Sequence, residues 1–309
     1  MKRLSLLQLT CNGFRYLKWP LQVAIIFFFK SLAIRFNIAP MFFRNMYSKF
    51  FLARFKKKND KREPYFDING ALLPDISTDK GIYDEFASNV FDDVFLISCF
   101  YNDNYDKTIV DFLDQYMAEG PYGYTDSKFD VTIKKDDVVI DAGAWIGDFS
   151  AYAASKNAII YAFEPVDSTF QLLSKTAALN RNIIPVKKGL GSEESELKIY
   201  INKKHSGANS LIEKNGFEIA EEKISITTLD KFVVENKLQR VDFIKADIEG
   251  AERDLLKGAT QVLKTFAPKL AFCTYHLPDD PEVLKQLILE ANPNYKIVQL
   301  KKKLFAAVF

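Results

Sequence analysis

Several carboxylates in this chain stand at the ends of apolar runs, where a folded sheet would present them together. Val138, Val139 and Ile140 lead into Asp141, and Gly143 and Gly147 punctuate a turn, with Ala144 and Trp145 inside it, before an amphipathic stretch begins. Gly143 lacks a Cβ, so a ligand can approach the backbone there, and the N–H groups that open the following helix face whatever binds. Such a turn serves a dinucleotide, a nucleoside or a phosphate, or is structural alone. A second apolar run, Ile159 to Phe163, ends at Glu164 and Pro165. An acid placed about twenty residues beyond the glycine turn suits both ribose hydroxyls of an adenosine. A third run, DFIKADIEGAE at 242–252, ends in Asp247, Ile248 and Glu249. The chain has two histidines: His276 follows the run Leu270 to Tyr275 and so falls at the same edge, whereas His205 lies in the small-residue loop HSGANS. His276 is the candidate general base.

Positioning these groups requires strands that end at one crevice. Strand-like runs near 138–142, 159–163, 184–188, 242–247 and 269–275 alternate with helix-like stretches at 147–155, 167–180, 250–264 and 280–291. That alternation predicts an α/β fold with a mostly parallel sheet covered on both faces. Residues 197–202 and 223–228 read as additional strands, and 296–300 with 304–309 around a Lys turn predict a C-terminal antiparallel hairpin.

Taken in order, IDAGAWIGDFS, FEP at 163–165, TTLD at 227–230, DFIKADIEGAE and YH at 275–276 resemble the FkbM-type S-adenosylmethionine-dependent methyltransferases, over residues 120–309. The resemblance implies a class I, Rossmann-like methyltransferase sheet, with S-adenosyl-L-methionine as cofactor. It also implies O-methylation of a hydroxyl on a sugar, polysaccharide precursor or lipid-linked glycan. The C-terminal hairpin suits a methyl donor better than a hydride carrier. On this reading Asp141, Gly143, Ala144, Trp145, Gly147, Glu164, Pro165, Asp247 and Tyr122 contact the cofactor, and Asp247, Glu249 and His276 form the catalytic floor. Trp145 departs from the family, since many methyltransferases carry glycine or asparagine there; its indole either narrows the turn or packs beside the cofactor. Methyl transfer to oxygen needs donor and acceptor aligned and the hydroxyl proton removed, which is the work expected of His276. Asp247 and Glu249 together suggest a divalent cation, but no third ligand lies near them in sequence, so no metal is expected.

Charge divides the chain. Residues 1–62 hold 14 Lys or Arg and a single acid, Asp60, for a net of +13, while residues 63–309 carry a net of −11. The basic segment is also apolar: Pro20 to Phe29 is nearly continuous, and beyond Pro40 the residues Phe42, Phe43, Met46, Tyr47, Phe50 and Phe51 recur at helical spacing. Aromatics on one face and basic residues on the other describe helices lying in an anionic membrane interface; the apolar run falls short of the roughly 20 residues a span needs, so a tilted single span and packing on the catalytic body are the other readings. So many contiguous Phe and Ile residues argue against nucleic acid as the partner. Lys56 to Arg62 reads as a charged linker. The expected organisation is a membrane-associating segment at 1–62, a small α/β cap at 63–130, with Val94–Tyr101 as strand and Lys107–Met117 as helix, and a methyltransferase domain at 131–309. Tyr122 and Tyr124, in EGPYGY, are placed to close over the cofactor or to pack. Cys11, Cys99 and Cys273 show no metal-ligand spacing and suit a reducing cytosol. The expected location is therefore cytoplasmic, peripheral at the inner face of a membrane.

Two other function classes use parts of this pattern. A nicotinamide-dependent nucleotide-sugar oxidoreductase would share the turn and Glu164 but wants a Tyr and Lys pair on one core helix, which is missing. A non-catalytic membrane-tethered module would keep the basic helices and have no need of carboxylates at three strand ends.

Overall fold

A computed structural model describes residues 55–68, 70–79, 81–83, 85–86, 122–201 and 218–309. The basic helices expected before residue 55, the strand and helix expected at 94–101 and 107–117, and the loop of His205 lie outside the described residues.

The described chain starts in a small antiparallel sheet of β1 (Lys56–Lys58), β2 (Pro64–Ile68) and β3 (Ala71–Pro74). Composition suggests a linker at 56–62, but β1 is an edge strand: Lys56 meets Asp75 and Lys57 meets Asp67, each at 2.5 Å. Lysines on an edge strand also discourage pairing with another chain. A short hairpin, β4 (Tyr124–Thr125) with β5 (Asp130–Val131), precedes the main sheet. The boundaries drawn at 62/63 and 130/131 thus fall inside these small sheets.

The core follows as β6 (Val138–Ala142), α1 (Asp148–Ser155), β7 (Ile159–Phe163), α2 (Asp167–Leu179), β8 (Ile183–Val186) and the two-residue β9 (Gly189–Leu190). The pair β10 (Ser195–Ile201) and β11 (Glu218–Thr227) leads to α3 (Leu229–Glu235) and β12 (Phe243–Ala246). Then come α4 (Glu252–Lys257), α5 (Thr260–Thr265), β13 (Lys269–Cys273), α6 (Asp280–Ala291), β14 (Lys296–Leu300) and β15 (Lys303–Ala307). Seven strands form one sheet in the order β14-β15-β13-β12-β6-β7-β8. All pair in parallel except β15, which runs antiparallel to both β13 and β14. The expected hairpin is present, and its second strand is the one inserted beside β13.

Alternate residues of the central strands enter two cores. Val139, Ile160 and Phe243 pack toward α1, α2 and β2–β3, and Ile140, Ile244 and Phe272 pack toward α3 to α6. The helix expected at 250–264 is broken into α4 and α5. A Cβ on Gly258 would lie 2.0 Å from the Gly191 carbonyl oxygen, so the chain turns there against another backbone. Asp230 of the TTLD motif caps the second piece, its carboxylate accepting from Gln261 N and Val262 N at 3.0 and 2.9 Å. The strand order reverses between β6 and β12, and in open α/β sheets the crevice beyond such a reversal is where ligands sit.

Candidate active site

Strand register builds the first half of the site. Lys245 on β12 stands opposite Asp141 on β6. Lys245, 4 % exposed, places its ammonium 3.1 Å from Asp141 Oδ1 and donates to the Gly143 carbonyl at 2.7 Å. The rings of Tyr122 and Phe149 lie 5.4 and 5.8 Å from it. Burial pushes the Lys245 pKa down, but the carboxylates of Asp141, Asp247 and Asp148 outweigh it and the net shift is upward, so the lysine keeps its charge. Asp141 also accepts from Ser150 Oγ at 2.6 Å. Lys245 escaped the sequence reading; the signal was a single cation inside the otherwise apolar FIKA strand.

The glycine turn is shaped by the chain itself. Gly143 has φ 76°, and the space its Cβ would need is filled by the Asp247 carbonyl oxygen at 2.0 Å. The close approach expected of a ligand is thus made here by the loop after β12. A Cβ at Gly147 would meet Leu173 and Thr176 of α2 within 3.0 Å. Ala144, buried, donates its N–H to the Phe163 carbonyl at 2.9 Å. Trp145 has φ 50° and is 8 % exposed, in the core that includes Phe149. A left-handed backbone explains why glycine or asparagine suits this position, and a bulky residue there carries strain.

Glu164, 7 % exposed, is already engaged: its carboxylate accepts from Trp145 N (3.0 Å), Val166 N (3.0 Å) and Thr169 Oγ1 (2.8 Å). Burial pushes it up to about 7 despite those hydrogen bonds. Pro165 follows, half-buried, at the entry to α2.

The second half gathers behind β12 and β13. The Tyr122 hydroxyl donates to Asp247 Oδ2, and Tyr275 Oη lies 3.4 Å from Oδ1. Of the two tyrosines expected to close or pack, Tyr122 holds Asp247, while Tyr124 stacks on Phe305 at 5.7 Å. His276, its side chain 2 % exposed, places Nε2 3.4 Å from Asp247 Oδ1 and 3.7 Å from Glu249 Oε1, and Nδ1 3.0 Å from Glu252 Oε1. None of these approaches is aligned as a hydrogen bond, and both ring nitrogens lack a hydrogen-bond partner among the described residues. Glu252, fully buried and not foreseen from sequence, accepts from Ile248 N and Gly250 N at 2.8 and 3.0 Å and so fixes the turn that carries Glu249 at φ 56°.

Burial raises the Asp247 pKa, but Lys245, His276 and Lys303 prevail and hold it down near 2. At His276 burial works against the proton, yet Glu249, Glu252 and Asp247 prevail and raise the pKa to about 10. The imidazole therefore carries its proton at neutral pH, which sets a condition on the base role expected of it: another positive charge must first take that proton's place. The structure brings Asp141, Gly143, Ala144, Trp145, Gly147, Glu164, Pro165, Tyr122, Asp247, Glu249 and His276 to the C-terminal ends of the interior strands β6, β7, β12 and β13.

The Methyltransferase FkbM domain family matches residues 141–297, just over half of the chain, from the end of β6 to β14. The chain belongs to the FkbM methyltransferase family. Similar curated relatives include the hexuronic acid methyltransferase AglP of Haloferax volcanii, 28% identical over 55% of this chain and 68% of that one. Methyltransferase sdnD of Sordaria araneosa is 31% identical over 45% of this chain and 66% of its own length. Among solved structures, methyltransferase FkbM from Methylobacillus flagellatus aligns with a TM-score of 0.47 at 20% identity, over 85% of this chain and 59% of that one. The chain thus spans about two thirds of the length of these curated relatives. These comparisons give no support to the oxidoreductase or to the non-catalytic module.

Proposed function

We propose that this FkbM-family chain is an S-adenosylmethionine-dependent O-methyltransferase that acts on a hydroxyl of a sugar or glycan. The observation that carries the reading is the set of carboxylates at or just beyond the C-terminal ends of three adjacent parallel strands, Glu164, Asp141 and Asp247, at the point where the strand order reverses.

The residues fit the cofactor in part as expected. A carboxylate offers about four acceptor positions. Glu164 uses three of them on its own chain, so it suits one ribose hydroxyl rather than two. The ionised Asp247 supplies negative charge for a cationic ligand. S-adenosylmethionine, when bound, supplies an electrophilic methyl group on a positively charged sulfur. Glu164 and the 143–147 turn bind on one side of the crevice; Asp247, held by Tyr122, orients the acceptor hydroxyl by accepting its hydrogen bond on the other. The name of the AglP relative supports a uronic acid or related sugar as acceptor. The +13 charge and interleaved aromatics of residues 1–62 support a peripheral position on an anionic membrane, at its cytosolic face, where a lipid-linked glycan is at hand. No described helix is long and apolar enough to cross a membrane.

Calorimetric titration of the full-length protein with S-adenosylhomocysteine, run beside NAD, tests the cofactor. Binding of the former alone is expected, followed by transfer of a labelled methyl group to glycans bearing hexuronic acid; binding of NAD alone, or of neither, overturns the reading.

A further inference from the structure

Beside Asp247, which Tyr122 holds, the fold sets a left-handed residue, Glu249, and a buried imidazole, His276. We infer that Asp247, Glu249 and His276 form a binding site for a divalent transition cation on the acceptor side of the crevice. This rests on the methyl-transfer reading only for the cation's chemical role.

The ligand atoms of the three residues lie within 4.8 Å of one another. Zinc bonded to imidazole nitrogen and carboxylate oxygen sits about 2.0 to 2.2 Å from each, so two ligands of one such ion stand no more than about 4.4 Å apart, a little closer than the full span of this group. His276 Nε2 is 3.4 Å from Asp247 Oδ1 and 3.7 Å from Glu249 Oε1, long for hydrogen bonds and suited to a shared ion. The independent observation is the imidazole: 2 % exposed, with Nε2 between two carboxylates and without an aligned partner among the described residues. Buried polar atoms are nearly always paired, and an unpaired one is a mark of a missing ligand or ion. Glu252 lies 3.0 Å from Nδ1, on the far side of the ring from the carboxylates. A carboxylate behind a ligating histidine fixes which nitrogen faces the metal. Sequence reading found two carboxylates and no third ligand because His276 lies on another strand's end.

One nitrogen and two oxygens favour a transition cation over magnesium or calcium, which take oxygen ligands. Three protein ligands leave positions open for the substrate. An acceptor hydroxyl drawn to the ion becomes more acidic, and its proton leaves to water. As the oxygen–methyl bond forms, the sulfur–methyl bond breaks and its electron pair returns to sulfur, giving a neutral thioether.

The test uses full-length protein freed of metal with a chelator, titrated with Mn²⁺ and followed by electron paramagnetic resonance. One bound ion per chain is expected, with nitrogen modulation in the spin-echo signal that disappears in His276→Gln. Affinity should fall at least tenfold in His276→Gln and in Glu249→Gln, and about 10- to 100-fold in Glu252→Gln, which removes the carboxylate behind the ring. Glu249→Gln, on a turn, carries the test if His276→Gln fails to fold. Absence of binding at millimolar Mn²⁺, or wild-type affinity in Glu249→Gln, overturns the inference. S-adenosylhomocysteine titrated in parallel separates the two ideas: binding of it without Mn²⁺ overturns the cation site alone, and binding of Mn²⁺ without it sustains the site and overturns methyl transfer.

Discussion

At the end of β6, Asp141 meets Lys245, a cation on a four-carbon stem that also donates to two backbone carbonyls, Ala142 and Gly143. At the end of β12, one strand over, Asp247 and Glu249 meet His276, a ring with no aligned hydrogen bond. Both clusters are acidic and stand at the C-terminal ends of neighbouring parallel strands, the first fully buried and the second half-buried, yet the first is neutralised by a group that cannot leave and the second by a proton that can. The first cluster is closed by bonds to its own chain, and the proposed chemistry falls to the second. Residue type does not separate them; the number of bonds already made to the chain does.

Lys245→Met breaks the comparison most sharply. It leaves Asp141 as an uncompensated buried charge, and removing one partner of a buried pair costs about 3 to 5 kcal/mol. Urea unfolding should show that loss, and Asp141→Asn added to it should recover a large part by removing the stranded charge. A loss under about 1 kcal/mol would place Lys245 with the exchangeable cluster and dissolve the distinction.

The parts of this architecture that announce themselves locally were legible in the sequence. Val138–Ala142, Ile159–Phe163, Asp280–Ala291 and the C-terminal hairpin fall within a few residues of their expected bounds, because an apolar run, a glycine turn or a proline at a helix start marks each. Strand ends located the carboxylates for the same reason. What depends on register or on distant partners was hidden. Lys245 reads as an interruption in an apolar strand until β12 is laid beside β6, and Lys56–Lys58 reads as a linker until Asp67 and Asp75 come across. Glu252 looks like one more helix-start acid, and only the fold shows it behind His276.

Glu164 sharpens the comparison through pH. In the fold burial pushes its pKa from 4.5 up to about 7, so between those values the folded chain holds more protons than the unfolded one. Stability must therefore fall as pH rises through that window, by on the order of 3 kcal/mol for this shift. Asp148, raised by burial to about 6, adds to the same trend. Denaturation at pH 5, 6, 7 and 8 should show the decline in the wild type and a much flatter profile in Glu164→Gln. Equal slopes in both proteins would mean that the three hydrogen bonds to Glu164 outweigh its burial.

The smallest effect, and the most discriminating, comes from two residues in the same strained conformation. Trp145 (φ 50°) and Glu249 (φ 56°) sit on facing loops, and a non-glycine residue held there costs about 1 to 3 kcal/mol. Glycine relieves that strain at both positions but removes different things. Trp145→Gly also removes a buried indole, worth about 3 to 5 kcal/mol, and should lower stability by about 2 kcal/mol net. Glu249→Gly removes a half-buried carboxylate that attracts the protonated His276, so relief of strain and loss of that attraction largely offset, and stability should change by about 1 kcal/mol or less after the entropy cost of glycine. Thermal unfolding of the two variants reads the difference directly. A Glu249→Gly protein of nearly unchanged stability that has lost acceptor-side activity would show strain kept for chemistry, whereas a clearly destabilised one would make Glu249 a structural residue like Trp145.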